Sequence, residues 1–407
     1  MVNRRYKYIF ILFLLCSITM LSGCWNRREL NELAFVTAIG IDKTKKNTYR
    51  MSFQVVSAEM IAGEKAVAQG EKPVFRVYDA TGSTLFEALR KASKEAPRRL
   101  FFGHTNLIVL GEKLARDGIQ EVFDLIERDP EFRTESSVVI AKDVSANDFL
   151  KVITSFEKVP ATKVIRTLRI TEKVWGENMI VTVADIIKGL VSPGKEPVIS
   201  AFNSIGHIKE GQRIETTHVT EPKVKLQAGG LGIVKRGKLI GWLQKDESRG
   251  LAWIQNKMKS TIIQVNWKGK KDAVAIELIR QHTTVDASVN GKNIKIHIHV
   301  KAEGDIAETK APIQIMNVEH IFALQTLWRK EIEKEIMTAV TRAQKEKTDI
   351  FGFGEVVHRT SPKTWKTLEK RWHDVTFPKL DVDVNVQAFV RRSGIRSDPY
   401  FLNVKKE

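Results

Sequence analysis

The chain has 407 residues, of which 43% are hydrophobic, so its length and composition exclude a disordered protein and allow two or three domains with packed cores. It contains two cysteines, Cys16 and Cys24, and this excludes a fold that depends on several disulfides. The formal net charge of +18 favours anionic partners, such as lipid head groups, cell-wall polyanions or acidic proteins.

The amino-terminal residues have the pattern of a lipoprotein signal peptide, which we predict over residues 1–23. Basic residues precede an apolar run that is too short to span a bilayer, and Leu21-Ser22-Gly23-Cys24 follows it. Cleavage between Gly23 and Cys24, with a diacylglyceryl thioether and an N-acyl chain on Cys24, would tether the mature chain outside the cytoplasmic membrane. An uncleaved helical anchor and an ordinary secreted protein are the alternatives. Export argues against a nucleic-acid partner, because exported proteins rarely meet nucleic acid.

Residues 24–195 are predicted to form an amino-terminal mixed α/β domain, because apolar strands alternate with amphipathic helices. The predicted strands are 34–42, 48–56, 74–80, 101–110 and 136–141. The predicted helices are 83–92, 114–128, 146–154 and 181–190, and residues 58–72 are predicted as an exposed loop. In the first of these helices we expect Ser83 as the N-cap and Leu85, Phe86 and Leu89 as the apolar stripe.

The segment 191–197 contains two prolines and a glycine, which predicts a domain boundary that we place after residue 195. A middle α+β domain over 196–281 and a carboxyl-terminal α+β domain over 282–407 follow. Their predicted strands are 227–234, 238–243, 261–267, 273–280, 283–289, 293–300 and 380–390, and their predicted helices are 247–258, 318–345 and 361–372. The pair Asn290-Gly291 predicts a tight hairpin turn. The fold class is therefore α+β, with three mixed α/β domains.

Two histidines, His297 and His299, share one face of a predicted strand, and His282 is expected across the hairpin. Two or three imidazoles resemble part of a zinc site. The histidines alternate with isoleucines, however, which is the pattern of the solvent face of a half-buried strand. No further ligand is fixed nearby by the sequence, so we predict neither a metal nor another cofactor.

The segments that resemble catalytic or phosphate-binding motifs have structural explanations. Gly229–Gly232 lacks the spacing and the lysine–serine pair of a phosphate-binding loop, and it lies at a strand start, where tight backbone packing is favoured. Asp381 and Asp383 share a strand face and are explained as a solubilising edge. The sequence has no Gly-x-Ser-x-Gly elbow and no His-Glu-x-x-His motif, and we predict that the protein is not an enzyme.

The tryptophans at amphipathic spacing are predicted to be core residues rather than a ligand groove: Trp242, Trp253, Trp267, Trp328, Trp365 and Trp372. Arg98, Arg99 and His104 lie near a predicted strand edge and are candidate interface residues. Structural roles are the competing interpretation for each of these three.

Several segments together resemble the Ger(x)C family, the C subunits of spore germinant receptors. They are the lipobox followed by Cys24–Leu33, the strand Val36–Asp42, Phe102-Gly103-His104, Glu127–Arg133, the hairpin Gly230–Trp242, and Asp349–Gly354. The resemblance extends from end to end, and the segment after the cysteine is its most specific part. Asn26 stands where an aspartate is expected.

The resemblance implies a lipoprotein on the outer face of the spore inner membrane, built of three mixed α/β domains and without enzymatic activity. Its implied partners are two integral-membrane receptor subunits, of the A and B types, and its implied role is nutrient-triggered germination. The alternative is an extracytoplasmic solute-binding lipoprotein that captures the nutrient directly, although no duplication of lobes is visible. A cell-wall enzyme would need a carboxylate or metal constellation, and none stands out.

Overall fold

The computed structural model describes residues 4–19, 32–56, 74–154, 157, 159–291, 293–314 and 317–392. Within these ranges helices combine with two β-sheets of mixed strand direction, which confirms the predicted α+β class. The predictions for Cys24 with its lipobox and for the loop 58–72 concern residues outside these ranges. No helix of the described ranges is both long and apolar enough to cross a membrane.

The strands are β1 Leu33–Lys43, β2 Tyr49–Val56, β3 Arg76–Gly82, β4 Arg99–Phe101, β5 Leu107–Gly111, β6 Ser137–Lys142, β7 Val198–Ile205, β8 Lys225–Lys235, β9 Lys238–Leu243, β10 Ile262–Trp267, β11 Lys270–Asn290, β12 Asn293–Thr309 and β13 Asp381–Arg392. The helices are α1 Arg4–Thr19, α2 Leu85–Lys91, α3 Glu112–Asp117, α4 Gln120–Arg128, α5 Ala146–Leu150, α6 Pro160–Val174, α7 Val183–Val191, α8 Asp246–Ile254, α9 Val318–Lys345, α10 Phe353–Thr360 and α11 Pro362–Leu368.

The larger sheet has the order β3-β2-β1-β5-β6-β7-β8-β9, and β4 pairs with the start of β1. Strands β1, β5, β6 and β7 run parallel, and the outer strands are antiparallel. Parallel strands are covered on both faces, so their sequences are continuous apolar runs. In β5, Ile108 and Leu110 pack beneath α2, α4 and α7, whereas Leu107 and Val109 pack beneath α5 and α6.

The smaller sheet has the order β10-β11-β12-β13 and is covered on one face by α9. Helix α9 begins after the N-cap Asn317, whose side chain accepts from the backbone N–H of Glu319. Its buried residues recur every three or four positions, as one face of a helix requires: Leu324, Trp328, Ile332, Ile336, Ala339, Val340 and Ala343. The prediction of a helix over 318–345 is confirmed.

The two sheets divide the chain differently from the three predicted domains. Strands β7 to β9, in the predicted middle domain, extend the sheet that starts with β1, whereas β10 and β11 pair with β12 and β13. Helix α8 lies between the two sheets along the chain, and one apolar cluster includes residues of both. The predicted domain boundaries after residues 195 and 281 concern units that fold independently, and they stay predictions.

Several predicted elements are wrong in detail. The N-cap of α2 is Thr84, whose hydroxyl accepts from the backbone N–H of Glu87, while Ser83 instead donates to the Glu87 carboxylate. Phe86 does not belong to the buried stripe of α2, because the spacing of three and four residues buries Leu85, Ala88 and Leu89.

Other boundaries differ because local breaks interrupt or extend a periodic run. The predicted helix 114–128 is two helices that are separated at Gly118, and the predicted strand 101–110 is divided into β4 and β5. The predicted strands 273–280 and 283–289 form the single strand β11, which continues through two bulges. The predicted helix 361–372 is the shorter α11, and α6 and α10 were not predicted.

Candidate functional site

A groove of about 1200 Å³ lies between α2 and α4, beside β4. The groove has an apolar floor, to which Leu85, Leu89, Leu100 and Leu125 contribute. Charged side chains line its rim, among them Arg90, Arg98, Arg99, Arg128, Asp124 and Glu131. An apolar floor with a polar rim is the usual anatomy of a protein interaction site.

Phe86 is the exposed aromatic residue of this groove, with 48% of its surface accessible. It lies on the outer side of α2, and the Arg90 guanidinium, one turn later, covers its ring at 4.8 Å from the centroid. Exposed aromatic residues beside arginines are typical of the residues that dominate binding energy at interfaces. The exposure of Phe86 is detectable in the sequence, because Phe86 falls outside the spacing of three and four residues that links the buried residues of α2.

The rim charges of the groove are oriented by ion pairs. Arg99 contacts Glu131 at 2.7 Å, and Arg128 contacts Asp124 one turn earlier on α4 at 2.8 Å. Of the three candidate interface residues, Arg98 and Arg99 therefore lie together at the rim. His104 lies elsewhere, edge-on to the rings of Phe35 and Phe101 with centroids 5.3 and 5.8 Å away.

A second, polar cleft of about 750 Å³ lies at the carboxyl ends of β1, β5 and β6. Ligands commonly bind at the carboxyl ends of parallel strands. Three of the four acids that line the cleft, Asp42, Glu112 and Asp148, have partners within the protein. Asp42 accepts from the backbone N–H groups of Ala146 and Asn147 at 2.8 and 3.0 Å, and burial raises the pKa of this carboxyl while those bonds lower it.

Two further acids of this polar cleft are also paired. Glu112 contacts Arg116 at 2.6 Å, and Asp148 contacts Lys209 at 2.8 Å. In a binding site for a charged nutrient, some polar groups lack a partner in the protein and bind the ligand instead. Here, three acids that line the cleft already have hydrogen-bond or ion-pair partners in the protein.

The carboxylate of Asp349 joins the segment after α7 to the carboxyl-terminal helices. Its side chain is fully buried and accepts four backbone N–H bonds, from Phe351, Gly352, Phe353 and Gly354, at 2.8 to 3.2 Å. The indole N–H of Trp372 donates a fifth bond at 2.9 Å. Burial raises the pKa of the Asp349 carboxyl, and these bonds oppose that effect. We call this arrangement the Asp349 joint.

The Asp349 joint also includes the segment 192–196, which leads into the larger sheet. Glu196 donates its backbone N–H to the Asp349 carbonyl at 2.8 Å, and Ser192 donates its hydroxyl to Glu355 at 2.9 Å. A Cβ atom on Gly194 would lie 2.7 Å from the backbone of Gly354 and Glu355, so only glycine fits there.

His373 adds a neutral imidazole to the Asp349 joint. Its Nδ1 accepts the backbone N–H of Asp349 at 3.1 Å, which requires the unprotonated nitrogen. Burial, with the charge of Lys235 as a smaller cause, lowers the pKa of His373 to about 4.

A second buried carboxylate, Glu335, lies where α8 packs against α9. It accepts from the indole N–H of Trp253 at 2.9 Å and pairs with the Arg249 guanidinium at 2.5 Å. Burial raises the pKa of Glu335 to about 7, and Arg249 acts in the opposite direction. These partners give Glu335 a structural role.

The candidate metal ligands remain on the solvent side of the smaller sheet. The rings of His297 and His299 stack with centroids 6.4 Å apart, and His297 contacts Asp383 at 3.5 Å. His282 pairs across the hairpin with Lys301 and not with either histidine. Among the described residues, no group of three or more His, Cys, Asp or Glu side chains is arranged to hold a metal ion.

The glycine segment 229–232 packs tightly in β8, as predicted. Gly230 has φ +86°, and a Cβ atom there would lie 2.3 Å from the Leu243 carbonyl oxygen. The Gly230 carbonyl accepts from the Asn178 side chain at 2.9 Å. Both glycines 229 and 230 lie at a bulge opposite β7, so their role is to shape the strand.

The predicted edge acids and core tryptophans are placed as follows. Asp381 and Asp383 lie at the start of the edge strand β13 and approach Lys295 at 3.3 and 3.9 Å. The tryptophans that are buried in the core are Trp253, Trp267, Trp328, Trp365 and Trp372. Trp242 is half-buried, and the Lys142 ammonium lies over its ring at 5.1 Å from the centroid.

Comparison with known families identifies the class of protein. Residues 26–203 match the family model described as the spore germination protein N-terminal domain, and residues 229–394 match the model described as spore germination B3/GerAC like, C-terminal. The chain belongs to this GerAC-like family of spore germination proteins.

Individual relatives agree with this assignment. The chain is 37% identical over 396 residues to spore germination protein KC of Bacillus subtilis, with 97% of both proteins covered. It is 26% identical to spore germination protein B3 of the same organism, with 94% of this chain and 97% of that protein covered. The crystal structure of the GerBC protein superposes with a TM-score of 0.54 at 20% identity, covering 86% of this chain and 96% of that one, so the fold is shared.

Proposed function

We propose that this protein is a lipid-anchored, non-catalytic subunit of a nutrient germinant receptor complex. The observation that carries the proposal is the full-length similarity to spore germination protein KC, to which 97% of the chain aligns. The lipobox before Cys24 supports anchoring on the extracytoplasmic face of a membrane, which in a spore is the inner membrane. The proposed partners are the integral-membrane subunits of the A and B types.

The groove between α2 and α4 is the surface we assign to those partners. Eight residues separate Cys24 from Leu33, the first residue of β1, and β4 beside the groove pairs with Leu33. A chain of this length extends over about 30 Å at most, so the anchor holds the groove near the membrane subunits. Anchoring at such a distance also raises the effective concentration of the two partners.

Replacement of Cys24 tests the anchor. In the Cys24→Ala variant we expect loss of the lipid, release of the protein from the membrane fraction and slower nutrient-triggered germination. The leader cysteine provides the matched control, because Cys16→Ala should leave the lipid on Cys24 and retention unchanged. Mass spectrometry of the amino-terminal peptide and membrane fractionation give the readout. Full retention of Cys24→Ala would contradict the proposal.

Direct nutrient capture remains the second function to test, because the polar cleft lies at the sheet edge where α/β proteins often bind ligands. The internal pairing of its acids favours the subunit role. Calorimetric titration of the purified protein with amino acids and sugars separates the two. Saturable heat with one nutrient, abolished by Asp148→Ala in the cleft, would establish capture and displace the subunit-only role.

A further inference from the structure

Helix α6 presents cations and aliphatic side chains to solvent on the side opposite its buried face. Val164 and Leu168 are buried against the larger sheet, whereas Ile170 and Val174 are 60% and 50% exposed. Together with three exposed cations and the tryptophan after the helix they form what we call the α6 face: Arg166, Arg169, Ile170, Lys173, Val174 and Trp175. Arg166 forms an ion pair with Glu157, so Arg169 and Lys173 are the cations that carry the argument.

The α6 face is continuous. With 100° of rotation per residue, the five helical members fall within an arc of about 140°. Trp175 follows the last turn and is 43% exposed. Thr261 donates its hydroxyl to the Trp175 carbonyl at 3.1 Å, which fixes the backbone at this end of the face.

This composition matches the surface of an anionic bilayer. Cations on such a helix contact lipid head groups, exposed aliphatic side chains enter the boundary of the acyl region, and tryptophan prefers the interface between them. Without the three leader cations Arg4, Arg5 and Lys7, residues 25–407 keep a net charge of +15 out of the +18 of the whole chain, which favours approach to the same surface.

The proposed anchor brings the α6 face within reach of the membrane. Helix α6 packs over Phe202 of β7 and Leu226 of β8, and β5 and β6 separate these strands from β1. At about 4.8 Å per strand, β8 lies about 19 Å from β1. Eight extended residues reach at most about 30 Å, which exceeds this separation, so one membrane can hold both the lipid and the α6 face.

We propose that the α6 face is a second membrane contact, which binds anionic lipid head groups and fixes the orientation of the tethered body. The inference builds on the proposed anchoring at Cys24, but its test does not need the anchor. The described side chains of α1 are exposed and absent from the apolar core, so a chain of residues 25–407 retains that core.

The experiment measures binding of residues 25–407 to vesicles of phosphatidylcholine alone and of phosphatidylcholine with phosphatidylglycerol. We expect binding to the anionic vesicles that weakens with added salt. The double variant Arg169→Glu/Lys173→Glu should weaken it about 30-fold or more, because each cation near an anionic membrane strengthens binding about fivefold. The matched control is Lys363→Glu/Lys366→Glu, an equal charge change on exposed positions of α11, which should bind almost as the parent chain does.

Circular dichroism confirms that the variants remain folded. Equal binding to both kinds of vesicle, or equal loss in the two double variants, would overturn the proposal. Loss of the membrane subunits on co-purification of Arg169→Glu/Lys173→Glu, with vesicle binding unchanged, would assign the face to a protein partner and overturn it as well. Because residues 25–407 lack Cys24, a failure here is separate from a failure of lipid anchoring.

Discussion

The Asp349 joint and the groove between α2 and α4 use charged and aromatic residues in opposite ways. In the joint, a carboxylate without solvent exposure accepts five hydrogen bonds, and Trp372 is buried beside it. In the groove, Phe86 is 48% exposed, and the neighbouring Arg90, Arg99 and Arg128 are exposed as well.

The difference separates residues that build the fold from residues that are available to partners. A buried charge persists only where the protein satisfies it, so Asp349 marks a point where the chain depends on its own contacts. An exposed aromatic residue over an apolar floor contributes little to folding, so Phe86 marks a point where contacts with another molecule are available. Three predictions test this distinction, from the largest expected effect to the smallest.

Removal of the Asp349 carboxylate should destabilise the folded protein strongly. In Asp349→Ala, four backbone N–H groups and the Trp372 indole N–H lose their acceptor inside the core. We expect a loss of about 4 kcal/mol or more in the free energy of unfolding, measured in urea. The control Asp381→Ala removes a carboxylate that is 65% exposed and should change stability by less than about 1 kcal/mol. Similar losses in the two variants would refute the role of the joint.

The buried carboxylate of Glu335 should make stability depend on pH. Burial raises its pKa to about 7 in the folded state, above the usual 4.5, so folded protein binds the proton more tightly. The stability that proton binding at Glu335 adds to the folded state is therefore fully present below about pH 4.5. It is lost as the pH rises through about 7, and the loss amounts to roughly 3 kcal/mol.

Glu335→Gln should flatten this dependence between about pH 5 and about pH 8, because its amide does not ionise. Urea unfolding at several pH values measures the effect. Glu333→Gln, on the same helix but with a carboxylate that is 33% exposed, should follow the parent protein. A Glu335→Gln curve parallel to the parent curve would disprove the assignment.

A charge in the groove should affect assembly and leave the fold intact. Phe86→Glu should weaken association with the proposed membrane subunits about 30-fold, as loss of an interface hot spot of about 2 kcal/mol predicts, with unfolding in urea nearly unchanged. The control Phe322→Glu changes an aromatic residue that is 63% exposed on α9, outside the groove. Co-purification of the receptor subunits from membranes is the measurement. Equal recovery with both variants would exclude the groove as the contact surface.

Long periodic elements were predictable from the sequence. Helix α9 has the predicted bounds because its apolar residues repeat over many turns, and the turn at Asn290-Gly291 joins β11 and β12 as predicted. Helix α6 was missed because many of its residues are β-branched, which lowers helix propensity. Pro160 at its first turn was the available signal.

The arrangement of distant segments was not predictable in the same way. The pairing of β6 with β7 joins strands that are separated by three helices, and no local pattern specifies such a partner. Asp349–Gly354 contributes to the family resemblance, but its role in packing is not predictable, because the turn that places four backbone donors around one carboxylate is completed by Trp372 from a later segment. The groove likewise forms only when α2 and α4 meet.

The acids at the start of β13 have a consequence for behaviour at high local concentration. Strand β13 is the edge of its sheet, and an edge offers unpaired backbone groups to any neighbouring copy. Asp381 and Asp383 place charged side chains on that strand, and charges on an edge strand disfavour its pairing with another sheet. Crowding of molecules on a surface therefore favours pairing through this edge less than it would for an uncharged strand.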